Sequence, residues 1–414
     1  MNNLIKTIKY FRIGWFFLFF LSCFVLLIYF LSIFYSLEIK TKRNLNLVLE
    51  NKFADPFYTK GFYITSWTAS DEKKINQLIK LLKENNFNTL IIDVKDVSGE
   101  VAYSSQVFQN GQRQTEGAEP VRRGSAEGAE ELRRSAEGTE RQSVGSISEP
   151  KIKDIKRLIY HLHLSNIYTI ARIAVLEDAT LPNVRPDLAL KNKNTNQPWQ
   201  DFKGLTWLNP DSREVLDYYI ALAEEAFNLG FNEVNFDYLR FPSDGKIENI
   251  AYQDNIEKKK TEVIKNAFIY LNQHLKDKGK ISIDLFGLTL WHLDDDSDMN
   301  IGQRLIDALP YFDYICPMVY PSHYPSDFLG FKNPAEHPYE IISANLKKME
   351  LVKKERPDWA LKIRPWLQAF NLGAIYNQDL LKEEIKAVED NGGCGFLFWN
   401  ARNDYSIFTP LEIK

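Results

Sequence analysis

A chain of 414 residues, 44% hydrophobic and 26% charged, has ordinary globular composition and ample length for one large core. Its formal net charge of -4 supplies no basic face, which argues against a nucleic-acid binder. Three cysteines are too few for a disulfide scaffold: Cys23 lies in an apolar run, and Cys316 and Cys394 lie in apolar strand patterns where a free thiol acts as a small hydrophobe. A bond between the last two stays open on sequence alone.

Residues 1–12 carry Lys6, Lys9 and Arg12, and Ile13 to Leu37 then run without a charge, long enough for a helix that crosses a bilayer. The preceding basic residues, with no small-residue cleavage pattern after the run, predict an uncleaved signal anchor at 13–37. On this reading the N-terminus is cytoplasmic, the lipid bilayer is a partner, and the rest of the chain is an extracytoplasmic domain at the cell membrane. Residues 38–59 read as a stalk.

From 60 to 414 apolar runs alternate with amphipathic ones. Strands are predicted at 61–67, 89–95, 168–174, 233–240, 281–287, 314–320, 361–368 and 395–400. Helices are predicted between them at 71–85, 152–165, 212–229, 255–277, 301–309, 339–353 and 378–389. Strict strand-helix alternation gives an α/β fold, either a (β/α)8 TIM barrel or an open doubly wound sheet. No Gly-rich phosphate loop follows the first strand, and eight strands is the barrel number, so the barrel is preferred. Between about 111 and 149 the chain turns to Arg, Glu, Gly, Ala and Ser, with RRGSAEGAE followed by RRSAEGTER and no Lys. Such a stretch cannot bury a core and is predicted to be a disordered, low-complexity insertion. After the eighth strand too little chain remains for a full closing helix.

Inward side chains near the C-terminal ends of barrel strands converge on one mouth. The segment NFDYLRFP from Asn235 brings Asp237 and Arg240 there, LIIDVKD brings Asp93 and Lys95, and the third strand brings Arg172, with Glu177 and Asp178 after it. ISIDLFG brings Asp284, YICPMVYPSHY brings Tyr320 and His323, the seventh strand Arg364, Trp366 and Gln368, and the eighth Trp399 and Asn400. Neither HExxH, paired CxxC nor GxSxG occurs, so no metal and no organic cofactor is implied. The run Asp294 to Asp298 reads as a solvated acidic loop. Abundant carboxylates and aromatic rings match glycoside chemistry, which uses one carboxyl as acid and a second as nucleophile, base or stabiliser. Asp237 and Asp284, on adjacent strands, are the catalytic candidates. Asp93, Lys95, Arg172, Arg240, Tyr320, Trp366, Gln368, Trp399 and Asn400 are the substrate-binding candidates. The competing reading is a structural ion pair from Asp237 or Asp284 to Arg172 or Arg240.

The blocks GFYITSW at Gly61, YTIARIAVLEDATL at Tyr168, the long run from Leu208 to Pro242, DLFGLT at Asp284 and YICPMVYPSHY at Tyr314 resemble a bacterial glycosyl-hydrolase-like family, domain of unknown function 4015. The resemblance spans Gly61 to Ser406 outside the repetitive insertion, and implies a TIM barrel acting on carbohydrate. The fourth strand is more distantly similar to that of family-18 chitinases. Asp237 matches the last of their alternating aspartates, but Leu239 stands where their catalytic Glu stands, so their mechanism does not transfer. CPMVY and GFLFWN resemble that superfamily's Met-x-Tyr and terminal Trp, which implies sugar contacts for Met318, Tyr320 and Trp399. The expected function is a membrane-anchored extracytoplasmic glycoside hydrolase acting on a cell-envelope or exported polysaccharide. The alternative, kept open by Leu239, is a glycan-binding barrel without catalysis, for cell-wall attachment or assembly. No protein partner is implied.

Overall fold

Val, Ile, Leu and Phe fill the strand segments almost without polar interruption on their outward faces, because helices cover those faces. The computed structural model describes residues 28–32, 35, 58–108, 149–252, 259–293 and 295–409. Eight strands, β1 (Thr59–Ile64), β2 (Thr89–Lys95), β3 (Tyr168–Ala174), β4 (Glu233–Asp237), β5 (Lys280–Phe286), β6 (Tyr314–Met318), β7 (Trp366–Gln368) and β8 (Gly395–Trp399), close into a parallel barrel in the order β1-β8-β7-β6-β5-β4-β3-β2. Closure pairs every strand on both sides and leaves no open edge.

The covering helices are α1 (Glu72–Glu84), α2 (Ile155–Leu164), α3 (Arg213–Leu229), α4 (Lys260–Leu275), α5 (Leu305–Ala308), α6 (Pro338–Lys347) and α7 (Gln378–Asn391). Their ends follow capping chemistry. Asp71 accepts from the Lys73 and Lys74 amides to start α1, which then buries Ile75, Leu78, Ile79 and Leu82. Ser212 caps α3 through the Val215 amide, and Gly230, at φ 107, ends it in the left-handed conformation.

The elements depart from sequence expectation mainly at strand ends. β1 stops at Ile64 because Thr65 caps the short helix Ser66–Ala69. β4 stops at Asp237, three residues early, because Tyr238 takes a left-handed backbone at φ 56, an unusual state for an aromatic residue. β7 is only three residues long, with Ile363 reduced to an isolated bridge to Ile315. α5 is a single turn.

Among the described residues, rings rather than an α-helix follow β8. Phe408, in the 3-10 turn Ser406–Phe408, lies 4.8 Å from both Phe62 and Phe398. Tyr405 stacks on Phe62 at 4.2 Å and donates its hydroxyl to the carbonyls of Tyr63 and Phe398. These contacts bury the outer faces of β1 and β8 where a helix would otherwise lie. Cys316 and Cys394 are both free thiols.

The expected transmembrane helix requires correction. No helix among the described residues is long and apolar enough to cross a membrane. The chain divides into two units, 1–53 and 54–414. Of 13–37 only Ile28 to Ser32 and Tyr35 are described, as helix; the rest of that segment and residues 36–57 lie outside the described residues. The bilayer as partner, the cytoplasmic N-terminus and the extracytoplasmic placement at the cell membrane all rested on that span, and none is carried further. The repetitive insertion likewise falls outside the described residues at 109–148.

Closure depends on the seam where Thr59 pairs with Gly395. Gly395 has φ 125, and a Cβ there would sit 2.0 Å from the Thr59 carbonyl oxygen. Gly395→Ala is therefore expected to cost roughly 3 kcal/mol or more of stability, read as a lower midpoint in urea unfolding. A midpoint equal to that of the parent would contradict the closed seam.

Candidate active site

Alternate residues of β4, Glu233, Asn235 and Asp237, point into the barrel and set three polar levels. At the lowest, Glu233 accepts from Arg364, Ser282 and the Tyr168 hydroxyl, and the Glu233 and Arg364 side chains are 0% exposed. This is a sealed structural pair. At the middle, Asn235 Nδ2 donates to Ser282 Oγ at 3.1 Å and to Asp284 Oδ1 at 2.8 Å, while Trp366 Nε1 donates to the same Asp284 oxygen at 2.7 Å.

The top level faces the mouth. Arg172 donates from Nη1 to Asp93 and from Nη2 to Asp237, so one guanidinium bridges carboxylates from the strands on either side of it. Its Nε lies 4.0 Å from Asp284 Oδ2 and makes no hydrogen bond. Tyr63 donates its hydroxyl to Asp93, and the Tyr238 amide donates to Asp237 at 2.7 Å. Trp399 stacks on Tyr63 at 3.8 Å, and the Arg172 guanidinium carbon stands 5.0 Å from the Trp399 ring centre.

Charge in this setting is governed by burial. Burial pushes the Asp284 carboxyl well above the usual range, the nearby Asp237 charge adds to this, and Arg172 opposes it. Burial also raises the Asp93 carboxyl, against the pull of Arg172 and the Tyr63 hydrogen bond. Burial works against the Arg172 cation as well, but Asp93 and Asp237 outweigh it and strengthen its hold on the proton.

The predicted residues divide by place. Asp93, Arg172, Asp237, Asp284, Trp366 and Trp399 form the connected network just described. Met318 ends β6 and packs on the interior cluster beneath the mouth. Tyr320, with Phe370 and Trp399, lines a cavity of about 610 Å³ beside that network, open at the ends of β6 to β8. Arg240 lies past the end of β4, not on the strand, with its guanidinium among Trp207, Tyr238 and Phe286.

Three candidates are engaged by contacts within the protein, and of these only Asn400 also lines the cavity. Lys95 is 1% exposed, because a bulge in β2 between Asp93 and Lys95 sends it to Asp178 at 2.8 Å and the Ala174 carbonyl at 2.9 Å. Gln368 accepts from the Ser322 amide and donates to the Phe370 carbonyl, pinning the loops after β6 and β7. Asn400 donates to the carbonyls of Ala369 and Asp404 and accepts from the Arg402 amide. Tyr63, Asn235 and Phe370 were not selected from the sequence, although Tyr63 follows Gly61 by two on the inward face of β1, the one usable signal. Among the described residues no group of three or more His, Cys, Asp or Glu side chains is placed to hold a metal ion. In the acidic loop Asp298 is spent on the Asn300 and Gly302 amides, and Asp294 lies outside the described residues.

Because the folded chain binds the Asp284 proton more tightly than the unfolded chain does, Asp284 contributes stability while protonated. That contribution is lost as pH rises above the ordinary carboxylate value. Asp284→Asn is expected to raise the thermal midpoint more near pH 8 than near pH 5. An equal effect at both pH values would contradict the assignment.

Residues 61–123 and 130–405 match the family described as "Putative glycosyl hydrolase domain", domain of unknown function 4015. Among solved structures, the PgaB (BpsB) glycoside hydrolase domain from Bordetella bronchiseptica is similar with a TM-score of 0.56 and 12% identity, over 86% of this chain and 99% of that one. A hypothetical protein from Ruminiclostridium thermocellum is 25% identical with a TM-score of 0.42, over 54% of this chain and 96% of its own. The endo-beta-1,4-mannanase from Thermotoga petrophila is 13% identical with a TM-score of 0.47, over 84% of this chain and 68% of that one. The first likeness is one of barrel fold alone, and none supplies a specific link to family-18 chitinases. Curated proteins give no match. A family profile that runs from the first strand of the barrel to the turn behind the eighth, across every residue of the Arg172 network, is decisive: the chain belongs to the family of domain of unknown function 4015.

Proposed function

We propose that this barrel binds a polysaccharide across its C-terminal mouth. The observation that carries the reading is the cavity of about 610 Å³ lined by Tyr320, Phe370 and Trp399, which adjoins the Arg172 network through Trp399 itself. That volume suits a small ligand or a sugar unit, and a wall of rings beside fixed carboxylate acceptors suits the apolar face and the hydroxyls of a pyranose. With the carboxyls engaged as they are, glycan binding is favoured over hydrolysis. Asp237 is held by Arg172 and the Tyr238 amide, and Asp284 is 1% exposed with one oxygen already accepting two hydrogen bonds. Cleavage needs carboxyls that flank the bond to be broken.

A second reading, cleavage of glycosidic bonds by Asp237 and Asp284, is favoured by one observation. The two acids have opposed surroundings, Asp284 driven toward its neutral form by burial and Asp237 engaged by a guanidinium. Such opposition is how acid and stabiliser roles divide between neighbouring carboxyls.

Both readings are tested by incubating the full chain with a panel of oligosaccharides and measuring bound ligand beside newly formed reducing ends. Binding without new reducing ends is expected, and Trp399→Ala should weaken it about ten-fold with the fold intact. Binding unaffected by Trp399→Ala would remove the cavity from the site. Reducing ends that accumulate with the parent and cease with Asp237→Asn would establish the second reading in its place.

A further inference from the structure

The mouth has two sides. The ends of β6, β7 and β8 hold the aromatic cavity, and the ends of β3, β4 and β5 hold Glu177, Arg240 and Phe286. Arg240 is 7% exposed, yet unlike the buried Arg172 and Arg364 it forms no ion pair among the described residues. Glu177, Asp237 and Asp244 act on it only from beyond ion-pair contact, and a buried cation without a paired counter-charge costs several kcal/mol on the usual scale. Its ring faces recover part of this: the guanidinium carbon stands 4.7 Å from Phe286, 5.0 Å from Trp207 and 5.3 Å from Tyr238. The edge of the guanidinium is a separate matter. Only Nη1 is engaged, with the Phe241 carbonyl at 3.0 Å and Ser243 Oγ at 3.3 Å. Nε and Nη2 make no hydrogen bond among the described residues, and they are not sealed from solvent as the unpartnered Nε atoms of Arg172 and Arg364 are.

That open edge is a two-donor fork, the shape that receives a carboxylate, sulfate or phosphate. We infer that the polysaccharide bound by this barrel is acidic, and that the Nε and Nη2 edge of Arg240 receives its oxyanion group. The inference rests on the carbohydrate-binding reading and adds the class of sugar to it. Trp207, Tyr238 and Phe286 then serve as walls that keep water from the pair.

The neighbouring acid fits this role. Glu177 follows β3, is 4% exposed and makes no side-chain hydrogen bond among the described residues. Burial pushes its carboxyl up to about 7; Arg240 and Lys203 oppose the rise, and Asp201 and Asp237 add to it. Near neutral pH it is therefore only partly ionised and repels an incoming anion weakly. Two other acids act on Arg240: Asp237 is already committed to Arg172, and Asp244 is exposed in the loop after β4.

The test measures binding of the full chain to galacturonate oligomers, sulfated oligosaccharides and neutral counterparts of each. The acidic ligands should bind at least about ten-fold more tightly than their neutral counterparts, with the uronate and sulfate arms separating the two sources of charge. Arg240→Gln should bring that ratio close to one, and Glu177→Gln should tighten acidic binding near pH 8, where Glu177 of the parent is ionised. The Glu177 variant keeps Arg240 in place, so it decides the matter if Arg240→Gln lowers stability. Neutral glycans bound as tightly as acidic ones would overturn the inference alone. Absence of binding throughout the panel would overturn the carbohydrate reading with it.

Discussion

One guanidinium organises the mouth of this barrel. Arg172 reaches from β3 to Asp93 on β2 and to Asp237 on β4, and every other polar feature of the site is arranged around that bridge. Removing both carboxylates from water without a cation between them would be prohibitive, so the bridge is the condition on which an acidic mouth exists at all. Tyr63 and Trp399 stack beside it, the Tyr238 amide gives Asp237 its second donor, and Tyr238 itself holds a left-handed backbone. Strain at such a place is a common mark of a site held in a working geometry.

The same principle operates one level down with a different outcome. Glu233 and Arg364 form a pair with no exposure, closed over by Ser282 and Tyr168, and no ligand can reach it. Charge inside this barrel is therefore graded, from a structural pair at the floor, through Asp284 under Trp366, to the Arg172 bridge and finally to Arg240 with an open edge. Availability to a ligand rises along that series as partners are withdrawn. Rigid placement on strands, with loops pinned by Gln368 and Asn400, fixes these groups before any ligand arrives.

Much of this was legible in the chain because strand period and capping are local signals. β2 and β3 fall on the expected residues, and the polar groups at inward positions of β2 to β5 converge as alternation requires. What failed was decided by neighbours. The bulge after Asp93 diverts Lys95 to Asp178, and nothing in LIIDVKD announces a bulge. The turn at Tyr238 shortens β4 and moves Arg240 off the strand, although an aromatic residue gives no sign of positive φ. Gln368 points at loops whose paths are set by contacts far away in sequence. The substitute for the eighth helix, Tyr405 with Phe408, was invisible because three-residue turns carry no periodicity. The apolar run at 13–37 shows the limit of a composition argument: its membrane reading drew nothing from tertiary contacts and gains no support among the described residues.

The claim on which the whole account turns is that Arg172 holds two carboxylates that cannot stay buried without it. Urea unfolding of Arg172→Met beside the triple variant that adds Asp93→Asn and Asp237→Asn tests this directly. The single variant is expected to lose about 3 to 5 kcal/mol, and the triple variant to regain most of that loss, because neutral amides need no counter-charge. An Arg172→Met protein as stable as the parent, or a triple variant no more stable than the single one, would contradict the bridge and the site built on it.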